Sequence, residues 1–105
     1  MDLQLKGKRA LVTGSSSGLG EAIAHLLAEE GATVIVHGRD EKRAAAVVKN
    51  IEKAGGSATY ILGDLSNDQG ADEVAAGVLA GGPVDILVNN AGAYYPRAWS
   101  GCKCN

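Results

Sequence analysis

The stretch Ala10-Leu11-Val12-Thr13-Gly14-Ser15-Ser16-Ser17-Gly18-Leu19-Gly20 decides the fold. The apolar run Arg9 to Thr13 enters it as a short strand of the buried kind. A helix leaves it, and over residues 18–30 Leu19, Ile23, Leu26 and Leu27 share one face at a 3.6-residue period. Gly31 ends that helix. Three glycines spaced Gly-x-x-x-Gly-x-Gly between a strand and a helix suit a phosphate group. Gly14 permits the tight turn out of the strand, Gly18 lets the backbone approach a pyrophosphate, and Gly20 lets the helix lie close on a sheet. The helix N-terminus adds N–H donors and a partial positive charge. The hydroxyls of Ser15, Ser16 and Ser17 either donate to phosphate oxygens or are solvated turn residues. A glycine motif alone is weak evidence; its place between strand and helix gives it meaning.

The same alternation continues along the chain. Thr33 to His37 is β-branched and apolar, a second strand. Asp40 caps a helix with Ala44, Val47, Val48 and Ile51 facing inward, and Gly55-Gly56 stops it. Ser57 to Leu62 makes a third strand. Ser66 with Gln69 has the Ser-x-x-Gln capping pattern, and it opens a helix whose inner face is Ala71, Val74, Val78 and Leu79. Gly81-Gly82-Pro83 breaks that helix, and Val84 to Val88 is the fourth strand. The fold class is therefore α/β, βαβαβαβ, a partial doubly wound parallel sheet. Near-continuous apolar strands imply that helices cover both faces. Right-handed crossovers give the strand order 3-2-1-4, with two helices on one face and the third alone on the other. Val84, Ile86 and Val88 are then expected on an unpaired edge, with part of one face bare.

Composition excludes several classes. The 105 residues make one domain or part of one, and 46% hydrophobic content reads as globular. The net charge of −2, with no basic block, argues against nucleic acid. No apolar stretch approaches the ~20 residues of a membrane span, and residues 1–7 lack the apolar core of a signal peptide. A cytoplasmic protein is expected. Cys102 and Cys104 are a single pair, short of the four ligands of a structural zinc, and no metal site is expected. In a reducing cytoplasm both thiols stay free.

A second signature, Asn89-Asn90-Ala91-Gly92, follows the fourth strand. Its two amides can saturate main-chain groups that a sharp strand exit leaves free. Together with the glycine stretch, this segment resembles the short-chain dehydrogenase/reductase family, in particular members similar to 3-oxoacyl-[acyl-carrier-protein] reductase. The resemblance runs from about residue 5 to about residue 99. It implies an incomplete NAD(P)-binding Rossmann domain over residues 1–99, with 100–105 an atypical tail. It also implies a cofactor site made of Thr13, Gly14, Ser15, Ser16, Ser17, Gly18, Leu19, Gly20, Arg39, Asp64, Leu65, Asn90, Ala91 and Gly92. In this reading Asp64 accepts from the adenine amino group beside the Leu65 backbone, unless it is only a turn residue before the Ser66 cap. Asn90, Ala91 and Gly92 line the cofactor ribose.

The end of the second strand selects the dinucleotide. Relatives that use NAD carry an Asp or Glu there for the ribose 2′-OH. This chain has Gly38 and then Arg39. An arginine can stack on adenine and pair with a 2′-phosphate, so NADP is expected ahead of NAD, unless Arg39 merely pairs with Asp40. His37 is read as a strand-end residue rather than a ligand or base.

The family's catalytic Ser, Tyr and Lys are not found. Four residues after Tyr60 stands Asp64, after Tyr94 stands Ala98, and after Tyr95 stands Trp99; none gives Tyr-x-x-x-Lys. Without a general acid near the substrate oxygen this chemistry does not run. No catalytic residue is assigned, and the chain is expected to be a truncated, catalytically incompetent cofactor half. The alternative is a stand-alone dinucleotide-binding or regulatory module without redox activity. Self-association, or pairing with an intact relative, is expected through the exposed sheet edge.

Overall fold

The structure, a computed structural model, describes residues 5–15, 18–64 and 68–90. Strands and helices alternate as β1 (Arg9–Val12), α1 (Gly18–Glu29), β2 (Thr33–Gly38), α2 (Glu41–Lys53), β3 (Ser57–Leu62), α3 (Asp68–Leu79) and β4 (Ile86–Val88). The strands form one parallel sheet in the order β3-β2-β1-β4. The register sets Leu11 beside Ile35 and Leu87, and Ile35 beside Thr59. This is the partial Rossmann arrangement expected from the alternation. No helix among the described residues is long and apolar enough to cross a membrane, and no group of three or more potential metal ligands occurs among them.

Strand residues alternate between two cores. Ala10, Val12, Val34, Val36 and Ala58 pack with Ala24 and Ala28 of α1 and with Ala44, Val47 and Ile51 of α2. Leu11 and Ile35 face the other way, against Ala71, Val74, Ala75 and Val78 of α3 and against Val84. Two helices thus cover one face and α3 the other, as the crossover rule requires. Burial of a side chain such as Leu11 or Ile51 contributes about 1.5–3 kcal/mol.

Helix ends follow the local signals. The Asp40 carboxylate accepts from the N–H groups of Lys42 at 2.9 Å and Arg43 at 3.4 Å, capping α2. Gly31 closes α1, where the Ala32 N–H reaches back to the Leu27 carbonyl. Gly55 closes α2 in the same way, the Gly56 N–H bonding the Ile51 carbonyl. Ser66 lies outside the described residues.

Four expectations need correction. The buried stripe of α1 is Gly20, Ala24 and Ala28, with Ile23 and Leu27 only partly buried. Leu19 and Leu26 are 70% and 54% exposed. The helix lies so close to the sheet that only small residues fit beneath it. Second, Val48 of α2 and Leu79 of α3 stand at the margins of their cores rather than inside them.

Third, β4 is shorter than the apolar run. Val84 is buried with α3 and not on a bare edge. Asp85 replaces a ladder rung, its N–H donating to the Arg9 carbonyl at 2.9 Å and its carboxylate accepting the Arg9 N–H at 3.0 Å. Ile86 and Val88 pack partly against the α1/α2 core, and Leu87 partly against the α3 core. Fourth, β3 is not covered on both faces. It is the opposite edge strand, with Thr59, Tyr60 and Leu62 exposed, and Tyr60 donates its hydroxyl proton to Glu41 at 2.9 Å.

Arg9, which the sequence reading left without a role, closes the far end of α3. Its guanidinium donates to the carbonyls of Val78 at 3.1 Å, Pro83 at 3.4 Å and, at a short distance, Gly82. The last turn of α3 has no basic residue of its own, so β1 supplies the cation that a helix C-terminus favours.

Candidate functional site

All four strands point their C-terminal ends the same way, and the candidate residues gather there. The edge lies where the order reverses between β1 and β4, the place at which open parallel sheets bind ligands. Gly14 and Gly18 have φ of 63° and 62°, left-handed values that L side chains rarely adopt. Gly20 is fixed by proximity. A Cβ there would lie 2.8 Å from the Ser15 Cα, 2.7 Å from the Asn90 amide nitrogen, and against the Gly14 carbonyl. At Gly18 a Cβ would meet nothing within 4 Å beyond its chain neighbours and its own helix. Gly18 opens α1, whose first N–H groups have no intrahelical partner. The residues present therefore suit a phosphate-bearing ligand.

Side chains hold the loop from two sides. On the β4 side, the Asn90 N–H donates to Thr13 Oγ1 at 2.9 Å and the Asn90 Nδ2 to the Gly14 carbonyl at 3.2 Å. Thr13 Oγ1 lies 3.4 Å from both the Val88 carbonyl and Asn89 Oδ1, and its single proton serves one of them at a time. Of the two amides, Asn90 saturates a main-chain group, the Gly14 carbonyl, while Asn89 meets the Thr13 hydroxyl. On the β2 side, Ser15 and His37 bond twice. The Ser15 N–H donates to the His37 carbonyl at 2.8 Å, and Ser15 Oγ accepts the His37 N–H at 2.9 Å. Ser15 is fully buried and its hydroxyl is turned into the fold.

His37 is the residue that sequence reasoning undervalued. It is 3% exposed. Its Nδ1 accepts the Gly14 N–H at 2.9 Å, and its Nε2 lies 2.9 Å from the Gly63 carbonyl. A nitrogen that accepts cannot carry a proton, so the ring is the Nε2–H tautomer and donates to Gly63. Burial holds it below the ordinary imidazole value of 6.5. The Gly63 carbonyl pulls the other way, Arg39 adds to the lowering, and Asp64 opposes it. A signal was present: a polar ring at the end of an otherwise apolar strand, buried, must find partners.

Arg39 and Asp64 come together at the rim. The guanidinium lies 3.8 Å from the Asp64 carboxylate, with the Arg39 side chain 76% exposed. Pairing of Arg39 with Asp40 is not what the structure shows. Asp40 caps α2 and lies 3.7 Å from Arg43 instead. Leu19 stands exposed at the start of α1. Ser16, Ser17, Leu65, Ala91 and Gly92 lie outside the described residues, as do Tyr94, Tyr95 and the cysteine pair.

Comparison with known proteins gives this edge its context. The chain is 44% identical over 101 residues to the uncharacterized oxidoreductase YvaG of Bacillus subtilis, covering 94% of this chain and 37% of that protein. Among solved structures it is similar to a metagenomic short-chain oxidoreductase in complex with NADP. That match has a TM-score of 0.81 and 45% identity, over 86% of this chain and 41% of the other. It is also similar to a 3-oxoacyl (acyl-carrier-protein) reductase from Agrobacterium tumefaciens C58 with NADP bound, with a TM-score of 0.80 and 46% identity, over 89% of this chain and 38% of the other. The chain thus spans about two-fifths of the length of these relatives. The family profile described as short chain dehydrogenase matches residues 8–102, and with the strand order and the glycine loop already in place the chain belongs to the short-chain dehydrogenase/reductase family.

Proposed function

We propose that this chain is the dinucleotide-binding portion of an NADP(H)-dependent oxidoreductase that passes hydride between its cofactor and a carbonyl or alcohol carbon. One observation carries the reading. The glycine loop, Asn90 and a cation next to the end of β2 share one sheet edge, and no carboxylate occupies the Gly38 position. Bound nicotinamide would supply the hydride; the residues of this chain hold and orient it. The N-terminus of α1 faces phosphate, and Arg39 pairs with a 2′-phosphate. The exposed Arg39–Asp64 pair contributes at most about 1 kcal/mol, so the guanidinium turns to a phosphate at small cost. That two solved relatives hold NADP supports the choice.

Residues 1–99 are proposed as the binding unit, with 100–105 outside it, in a cytoplasmic protein. No Tyr-x-x-x-Lys occurs in the 105 residues, so this chain is proposed to bind without reducing. The half-buried edge of Ile86, Leu87 and Val88 favours pairing with a second copy or a longer relative. Calorimetric titration of the 105-residue chain with NADP+ and NAD+ tests the reading. Tighter binding of NADP+ is expected, together with no NADPH oxidation in the presence of ketones or 3-oxoacyl thioesters. Equal affinities would remove the role given to Arg39, and turnover that survives repurification would show an unrecognised general acid.

A further inference from the structure

His37 stands where three strands end, and hydride transfer asks nothing of its ring. We propose that His37 is the positioning residue of the glycine loop, that it holds Gly14 only as the neutral Nε2–H tautomer, and that protonation releases the loop. The consequence for dinucleotide affinity rests on the function proposed above; the pin itself does not.

The argument is one of donors and acceptors. Gly14 N–H and His37 Nδ1 are 2.9 Å apart. An imidazolium carries N–H on both nitrogens, so protonation sets donor against donor at that distance. Nε2 keeps its bond to the Gly63 carbonyl in either state. Gly14 does not yield alone, because Asn90 holds its carbonyl and Ser15 is bonded twice to the His37 backbone. The conflict therefore passes into the loop. The charges facing the ring are Arg39 from the end of β2 and Asp64 from the end of β3, the first opposing protonation and the second favouring it. Helix α3, on the sheet face shared by Ile35, brings Asp68 in its first turn; the described residues of the glycine loop bring no charge. Burial outweighs the rest, so the folded state favours the neutral ring. The stabilisation is then fully present above pH 6.5, the unfolded value, and is lost as pH falls through the lower folded value.

Nitrogen-resolved NMR of the 15N-labelled 105-residue chain between about pH 8 and 4.5 reads the ring tautomer and the Gly14 amide together. NADP+ affinity is measured in parallel by calorimetry. A 2′-phosphate titrates near pH ~6, so the reference is His37→Asn, whose side-chain oxygen still accepts from Gly14 but takes up no proton. We expect an unprotonated Nδ1 at pH ~8 and a Gly14 amide that moves in step with the ring. Relative to His37→Asn, the parent Kd should rise about tenfold per pH unit below the folded value. In His37→Leu the Gly14 amide should exchange faster at every pH. An Nδ1–H tautomer overturns the proposal, as does a ring that titrates while Gly14 stays still, or a parent Kd that follows pH no more steeply than the Asn variant. Spectra that behave as expected in a chain that binds no NADP+ at pH ~8 uphold the pin and reject the dinucleotide reading. The parent spectra decide the matter even if neither variant folds.

Discussion

The two ends of the sheet satisfy their polar groups by opposite means. At the far end a cation does it: Arg9 binds the carbonyls that α3 leaves open, and Asp85 bonds both Arg9 main-chain groups. At the site end neutral groups do it: His37, Ser15, Thr13 and Asn90 pin the loop with no formal charge. The charges of that end, Arg39 and Asp64, sit outside at the rim. Charge thus closes the fold at one end of the sheet, while at the other it pairs on the surface, outside the hydrogen bonds that hold the loop.

Substitutions can break or sharpen this contrast. The largest effect is expected from Gly20→Ala. The added carbon would meet main chain of the loop rather than a yielding side-chain tip, and urea unfolding should show a loss of about 3 kcal/mol, with NADP+ binding lost as well. Unchanged stability would mean that the close approach of α1 is not required. Next, Arg9→Met removes the charged cap of α3 and should cost about 2 kcal/mol, while NADP+ affinity in the surviving folded fraction stays as it was. A loss of affinity there would couple the two ends and end the division drawn above. Arg39→Asp should weaken NADP+ and help NAD+ by about 1–2 kcal/mol, with no change in melting; a lower melting temperature would assign Arg39 to the fold instead. The smallest change is Asp40→Ala, a lost helix cap of about 1 kcal/mol, visible in thermal melts and absent if water replaces the carboxylate.

The strand order and the glycine loop were legible because each rests on a local signal. Alternating apolar runs gave the strands, and Gly14, Gly18 and Gly20 stood between a strand and a helix. The buried stripe of α1 was misjudged for a physical reason. Apolar periodicity selects the largest residues, Leu19 and Leu26, whereas a helix lying on a loop's backbone buries its smallest, Gly20, Ala24 and Ala28. The glycine that signalled the close approach also signalled the stripe. The β4 boundary was hidden in Asp85, whose carboxylate takes the place of a backbone partner. His37 and Arg9 could not be placed from sequence, because their partners lie 22 to 76 residues away. Only the folded sheet brings them near.

The reach of Arg9 has a consequence for the order of assembly during synthesis. β1 pairs on one side with residues 33–36 and on the other with residues 86–88. The second closure spans roughly three times as much chain, an entropic difference of only about 1 kcal/mol. Timing separates them more than energy does. A chain emerging N-terminus first meets its β2 partner early and waits for the α3 carbonyls and β4 until residues 78–88 have been made. Asn90, the last anchor of the glycine loop, arrives with them. The loop that follows β1 is thus finished only after β4 is made, and a nascent chain completes the candidate site only when that strand docks.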